Sequence, residues 1–440
     1  MQVAQAIQFK GHKLLTNALT LDRARFVINR LSGEHALVFI DNFSDDVDAT
    51  QFLVQQPGIL VVGFDRDYRF ETAAHRLDLT KCHILPVTEL PPSDIQDILS
   101  HIPENVRRQT ARPIQRRSLS ADEPPSVFEI IEANIIAPSL ARRFHSVVRE
   151  LARTDRNLLD LLLVCCYVHK CRTVVSMDML IAFFRDRVNH YTDIYEMCDR
   201  LAAMISNYVG PFADMEQDYC VPRSANLAEA IIAQAPRDAL RRVLLRFHKE
   251  ISPYRIPRHD VFQRLAYDAA LMSEVFPDWR EGRDFYRTSY IRHDNPFMLQ
   301  QGALYLARKS RYDDAFLWID EAIMKSGGRH QTILNSHAVI LFNANISKDP
   351  ADMTVRETLQ RSMNILSECY HSDRRRYYHA PVFADQALQY WDVYGDEKAH
   401  EYLKTAKQWL EDEVMRSKWH RNVRRLLGVV TRKLIQIDGE

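Results

Sequence analysis

Asp41 closes an apolar run, Leu37-Val38-Phe39-Ile40, and Asn42 follows it. An acid at the carboxyl end of a buried parallel strand stands where α/β sheets hold their ligands. Its chemistry would be that of a Walker-B aspartate, which holds a water of the magnesium ion on a nucleoside triphosphate. The alternative is a strand that simply ends in a solvated loop. A second apolar run, Ile59–Gly63, leads into Phe64-Asp65-Arg66-Asp67-Tyr68-Arg69. Beside the first strand, Arg66 or Arg69 would reach a γ-phosphate and report nucleotide state. Alternatively these charges pair with one another at the surface, where each pair contributes little. The candidate site is therefore Asp41, Asn42, Arg66 and Arg69, with Asp41 as the magnesium ligand through water.

Other chemistry has less support in the sequence. There is no nucleophile elbow, no HExxH and no paired-carboxylate signature. His293-Asp294, His259-Asp260 and Cys82-His83 lack a nucleophile in a recognisable turn. The seven cysteines, at 82, 165, 166, 171, 198, 220 and 369, are odd in number and form no CxxC. They read as reduced, mostly buried thiols of a cytoplasmic protein. Cys165, Cys166 and Cys171 with His169 match no common zinc spacing. Arg107, Arg108, Arg112, Arg116 and Arg117 form a basic run, and Arg374-Arg375-Arg376 another. Both read as solvated loops rather than phosphate contacts.

The elements that would carry the site are α/β. Leu21, Ala24, Val27, Ile28 and Leu31 have helical spacing, and Gly33 ends that helix. Ala36–Ile40 reads as a strand buried on both faces, Asp48–Gln55 as a short helix, and Ile59–Gly63 as a second buried strand. His83–Val87 is a third, shorter candidate. Strands alternating with helices predict a parallel sheet. A helix from Ser93, an Arg/Ser/Pro-rich linker over 107–125 and a helix over Val127–Leu151 follow.

Helices at Leu158–His169, from Ser176, and at about Ile194–Ser206 precede a possible hairpin of Tyr208–Phe212 with Asp218–Val221. That is the order of a winged helix. From Ala239 onward the pattern is helical throughout. Gly302 and Tyr305 precede Ala315, Ile319 and Ala322; Tyr390 and Tyr394 precede Ala399, Leu403 and Ala406. Small residues seven apart let antiparallel helices approach closely, as in tetratricopeptide packing.

This succession resembles the STAND NTPases, signal-transduction ATPases with numerous domains, of the wider AAA+ and NACHT-like group. By motif the resemblance covers residues about 36–100, and by order of elements most of the chain. It implies ATP or ADP with magnesium at Asp41, a sensor arginine at Arg66 or Arg69, and a helical lid at 91–157. It also implies a C-terminal sensor for a protein ligand, oligomerisation through nucleotide exchange, a protein effector as partner, and a role in bacterial antiviral defence. Yet no GxxxxGKS/T occurs, and Gly11-His12-Lys13 is no substitute. Without a nest of backbone N–H groups and its lysine, the phosphates have no cradle. Asn42 stands where active members carry a second acid. Hydrolysis by this chain alone is not expected, and nucleotide binding would need a P-loop from missing sequence or a partner. A sheet beginning at Ala36 would lack its central strand and expose an edge. The chain would then be a fragment, one part of a split protein, or, ranked below these, a degenerate relative.

Composition is compatible with this picture. The chain has 440 residues, 46% hydrophobic and 26% charged, with only 12 glycines, which favours helix. Lys+Arg and Asp+Glu are both 58, so no global charge draws it to nucleic acid or anionic membrane. The longest apolar run, Leu158–Val168, is too short to span a bilayer and is interrupted by Asp160. Met1–Gln5 show no charged stretch leading into an apolar one, so secretion is not expected. The expected architecture is mainly α: a partial P-loop-NTPase-like α/β core at 1–90, the lid at 91–157, a winged helix at 158–235 and a tetratricopeptide-like region at 236–440. A winged-helix transcription regulator binding DNA, read through Asp178, Arg185, Asp186 and Arg187, and a nucleotide-free helical scaffold are the alternatives.

Overall fold

The computed structural model describes residues 7–17, 19–31, 33–65, 70, 76–78, 81–85, 93, 97, 100, 139–208, 217–223, 225–373, 375–416 and 421–439. The chain divides into two compact units. One comprises Met1–Leu85, Val209–Asp214 and Tyr370–Glu440; the other comprises Pro86–Tyr208 and Met215–Cys369.

The first unit opens with β1 (His12–Asn17), α1 (Leu21–Leu31), β2 (Ala36–Asp41), a 3-10 turn (Phe43–Asp46), α2 (Val47–Val54) and β3 (Ile59–Phe64). All pairings are parallel in the order β1-β2-β3, with Leu14 opposite Val38 and Val38 opposite Val61. Alternation places Ala36, Val38 and Ile40 on the face that packs Ala24, Leu31, Ala49 and Leu53 of the two helices. Leu37 and Phe39 point to the other face and are also buried, beside Phe9 and Val62.

Two expectations are corrected here. The edge of β2 that was expected to be unpaired is covered, because His12–Asn17 pairs along its whole length, which makes β2 the middle strand of the three described. The mixed sequence of β1, His-Lys-Leu-Leu-Thr-Asn, hides it from a search for apolar runs. Conversely, β3 is not a buried strand. Paired only with β2 among the described residues, it leaves Leu60 57% and Phe64 42% exposed. His83–Leu85 form no strand, and the rest of that candidate lies outside the described residues. The linker at 107–125 lies outside them as well.

The second unit begins at α3 (Ser139–Thr154) and α4 (Arg156–Lys170). Asp155 caps α4 by accepting from the Leu158 N–H at 3.1 Å. Every residue from Leu158 to Val168 is buried, Asp160 included. Next come β4 (Val175–Ser176), α5 (Met177–Phe184), α6 (Thr192–Arg200), β5 (Ile205–Asn207) and β6 (Tyr219–Pro222), the strands forming an antiparallel sheet in the order β4-β6-β5. Three helices precede a hairpin as expected, but β4 lies between the first two, and the hairpin pairs Ile205–Asn207 with Tyr219–Pro222; of the expected strand Tyr208–Phe212, all but Tyr208 lies outside the described residues. The third helix stops at Arg200, and Ile205–Asn207 enters the sheet instead.

The rest is helical: α7 (Ala225–Gln234), α8 (Arg237–Glu250), α9 (His259–Ala266), α10 (Ala269–Val275), α11 (Trp279–His293), α12 (Pro296–Arg308), α13 (Tyr312–Lys325), α14 (Gln331–Asn343) and α15 (Met353–Ser372). The first unit then takes up α16 (Arg376–Tyr394), α17 (Glu397–Arg416) and α18 (Arg421–Asp438). Both predicted helical pairs form. In α12 and α13, Ala315, Ile319 and Ala322 are fully buried, and a Cβ on Gly302 would lie 2.4 Å from the Trp318 ring. One helix earlier, a Cβ on Gly282 would lie 2.1 Å from Tyr305. In α16 and α17, Tyr390, Ala399, Leu403 and Ala406 are fully buried, and Gly395 ends α16 in the left-handed conformation. No helix among the described residues is long and apolar enough to cross a membrane.

Candidate functional site at the carboxyl edge of the sheet

Asp41 is the last residue of β2 and is exposed at the strand tip. Asn42 adopts φ 55° and ψ 46°, a left-handed turn that asparagine tolerates better than most residues. The turn swings the chain into Phe43–Asp46, where Ser44 joins the two strand tips: its N–H donates to Asp65 Oδ2 at 2.9 Å, and its hydroxyl donates to the same oxygen. Gly63 leaves room for this loop, since a Cβ there would lie 2.7 Å from the Phe43 ring. Asp46 caps α2 through the Ala49 N–H at 3.0 Å, and the Thr50 hydroxyl donates back to Phe43 O at 3.3 Å. The loop behind Asp41 is therefore pinned at several points while Asp41 itself faces solvent.

Arg66 and Arg69 lie outside the described residues, so only Asp41 and Asn42 of the predicted site are placed. An exposed carboxylate at this edge suits a hard, hydrated cation. The described residues do not fit a triphosphate. The turn from β1 to α1 contains no glycine, and its Thr20 hydroxyl accepts the Arg23 N–H at 3.4 Å in place of any anion. Lys13 Nζ donates to Ile7 O. No group of His, Cys, Asp and Glu that could hold a metal occurs among the described residues.

The second unit assembles groups the sequence had left apart. Tyr167 donates to Ala266 O at 3.1 Å, and its oxygen lies 2.7 Å from His248 Nε2. Tyr267 lies 3.0 Å from both His248 Nδ1 and His293 Nε2. A tyrosine has one proton to give, which fixes the direction of the chain. His293 Nε2–H donates to Tyr267, Tyr267 to His248 Nδ1, His248 Nε2–H to Tyr167, and Tyr167 to Ala266 O. His259 stacks on His293 at 5.4 Å between ring centres. Enclosure by aromatic rings, Tyr267 at 4.8 Å and Phe285 at 5.1 Å among them, pushes His248 down to about 3; burial likewise holds His293 at about 4. Both rings are neutral at pH 7 and locked in one tautomer. Helical spacing marks none of these residues, because they come from four elements and a connecting turn.

The four residues that a DNA-reading helix would use are engaged within the protein. Asp178 pairs with Arg255, Arg185 with Glu250 at 3.3 Å, Asp186 with Arg246, and Arg187 with Asp160 at 2.6 Å. The third helix, α6, exposes Glu196, Asp199 and Arg200, and Arg200 pairs with Asp155 at 2.9 Å. An open groove of about 620 Å³ runs along α8 and is lined by five cations. Arg187 and Arg242 share Asp160, Arg241 meets Glu281 at 2.9 Å, Arg246 meets Asp186, and Lys249 lies 3.8 Å from Glu250. With these carboxylates in place the groove offers little uncompensated charge to a phosphate backbone.

No family model matches the chain, and no curated protein matches it. Among solved structures it is similar to a signal transduction ATPase with numerous domains (STAND) from Pyrococcus horikoshii that carries a tetratricopeptide repeat sensor. The match spans 95% of this chain and 67% of that one at 11% identity, with a TM-score of 0.28. A score that low leaves the two spatial arrangements different, and the likeness carries no argument about activity.

Proposed function

We propose that this chain is a regulatory sensor that recognises a protein trigger through its C-terminal helical pairs and signals by assembling with a protein effector. The observation that carries the reading is the closure of helical pairs on glycine and alanine, which builds a rigid packed core and leaves the outer helix faces free for contact. On α13 that outer face includes Leu317 and Met324, 69% and 73% exposed. The β4-β6-β5 module, read as a winged helix, acts as an internal spacer rather than a DNA reader. Asp41 would couple assembly to a magnesium nucleotide whose phosphate cradle a partner supplies, since the sequence itself carries no P-loop. The resemblance to STAND proteins extends the proposal to bacterial antiviral defence.

Native mass spectrometry of protein purified gently with magnesium and ATP tests it. A larger complex carrying nucleotide is the expected result. A bare 51.4 kDa chain with and without nucleotide would overturn nucleotide-dependent assembly. Asp41→Ala is expected to abolish assembly without unfolding the chain; unchanged assembly would return the chain to a nucleotide-free scaffold.

A further inference from the structure

Five of the seven cysteines lie between residues 165 and 220, and two of them touch. Cys198 on α6 and Cys220 on β6 place their sulfurs 3.9 Å apart. Cys220 is 2% exposed, whereas Cys198 is half-buried, so the pair lies nearer to solvent on the α6 side. The sulfurs must close by about 2 Å to reach the bond length of about 2.05 Å, a movement two thiol side chains can share by small χ1 changes. Cys165 on α4 is fully buried, yet close enough to be affected by charge on Cys220. The Cys198 S–H holds the Cys220 thiol below its ordinary value, against burial and the nearby Asp218 charge. By contrast, burial pushes the Cys165, Cys166 and Cys171 thiols up and leaves them inert.

We propose that Cys198 and Cys220 are an oxidation site at which hydrogen peroxide closes a reversible disulfide, tying α6 to the central strand of the β4-β6-β5 sheet. The thiolate of Cys220 attacks one peroxide oxygen, the O–O bond breaks, and hydroxide leaves to take up a proton as water. The resulting sulfenic acid is then attacked by the Cys198 sulfur. The S–S bond forms, the S–O bond breaks, and the second oxygen leaves as water with the remaining thiol proton. The two sulfurs together lose two electrons and the peroxide gains them. In a reducing compartment such a bond is transient, and a dithiol reductant restores the pair.

Peroxide treatment of the full-length native chain, followed by intact mass and non-reducing peptide mapping after alkylation, tests this. The expected result is loss of two hydrogen atoms, a peptide containing Cys198 joined to one containing Cys220, and recovery of both thiols with dithiothreitol. Cys198→Ser and Cys220→Ser should each lose the cross-link, while Cys165→Ser keeps it. Added oxygen at Cys198 or Cys220 with no cross-link would overturn the proposal. So would a Cys165–Cys220 link, or the same loss of hydrogen in Cys198→Ser. The mapping of the wild-type chain stands even where a variant does not fold.

Discussion

Asp41 closes one apolar run and Asp160 interrupts another, and the fold treats them in opposite ways. Asp41 ends its strand and emerges into solvent, backed by a loop that Ser44 and Asp46 hold in place. Asp160 sits inside α4 at 0% exposure, and two arginines reach it from the α5–α6 connection and from α8, Arg187 at 2.6 Å and Arg242 at 2.5 Å. The acid at the strand tip is left open to solvent, and the acid inside the helix is saturated by the protein's own cations. Neither role is set by neighbours along the chain; each depends on what lies across the fold.

The largest expected effect is at the saturated acid. Asp160→Ala should cost about 3–5 kcal/mol, because it strands two partly buried guanidiniums, and chemical denaturation of the full chain measures it. Gly302→Val pushes against Trp318 and should cost about 1–3 kcal/mol by overpacking; a thermal melt checks the direction. Acid should follow. His248 is held at about 3 when folded and returns to about 6.5 when unfolded, so the unfolded state binds more protons between those values. Its stabilisation is complete above pH 6.5 and declines as pH falls toward 3. At pH 5 the loss should be about 1–2 kcal/mol, and His248→Asn should flatten that slope. The smallest stability effect belongs to Asp41→Ala, within about 0.5 kcal/mol as for other exposed positions. A large loss of stability there would erase the contrast with Asp160.

Much of the fold was legible in the residues. The bounds of α1 were read correctly because Leu21, Ala24, Val27, Ile28 and Leu31 repeat at helical spacing and Gly33 stops them. The helical pairs α12–α13 and α16–α17 were visible as small residues seven apart. β1 was missed because its sequence is mixed, with His12, Lys13 and Leu15 all exposed, and an edge strand needs few apolar residues. The exposure of β3 was missed because the same pattern of apolar residues serves a central strand and an edge strand. Of the candidate site, Asp41 at a strand tip was foreseen. The Tyr167–His248–Tyr267–His293 chain was not, since residues 126 positions apart meet only after α4, α8 and α11 have packed.

Asp160 has a further consequence for how α4 finds its place. A helix that is apolar on every side has no preferred rotation about its own axis, and any of its faces could serve as the one turned toward α8. A single carboxylate removes that freedom. It can be buried only when its oxygens face Arg187 and Arg242 together, so the charge acts as a compass mark on an otherwise unmarked cylinder. It excludes misrotated packings that the leucines alone would accept.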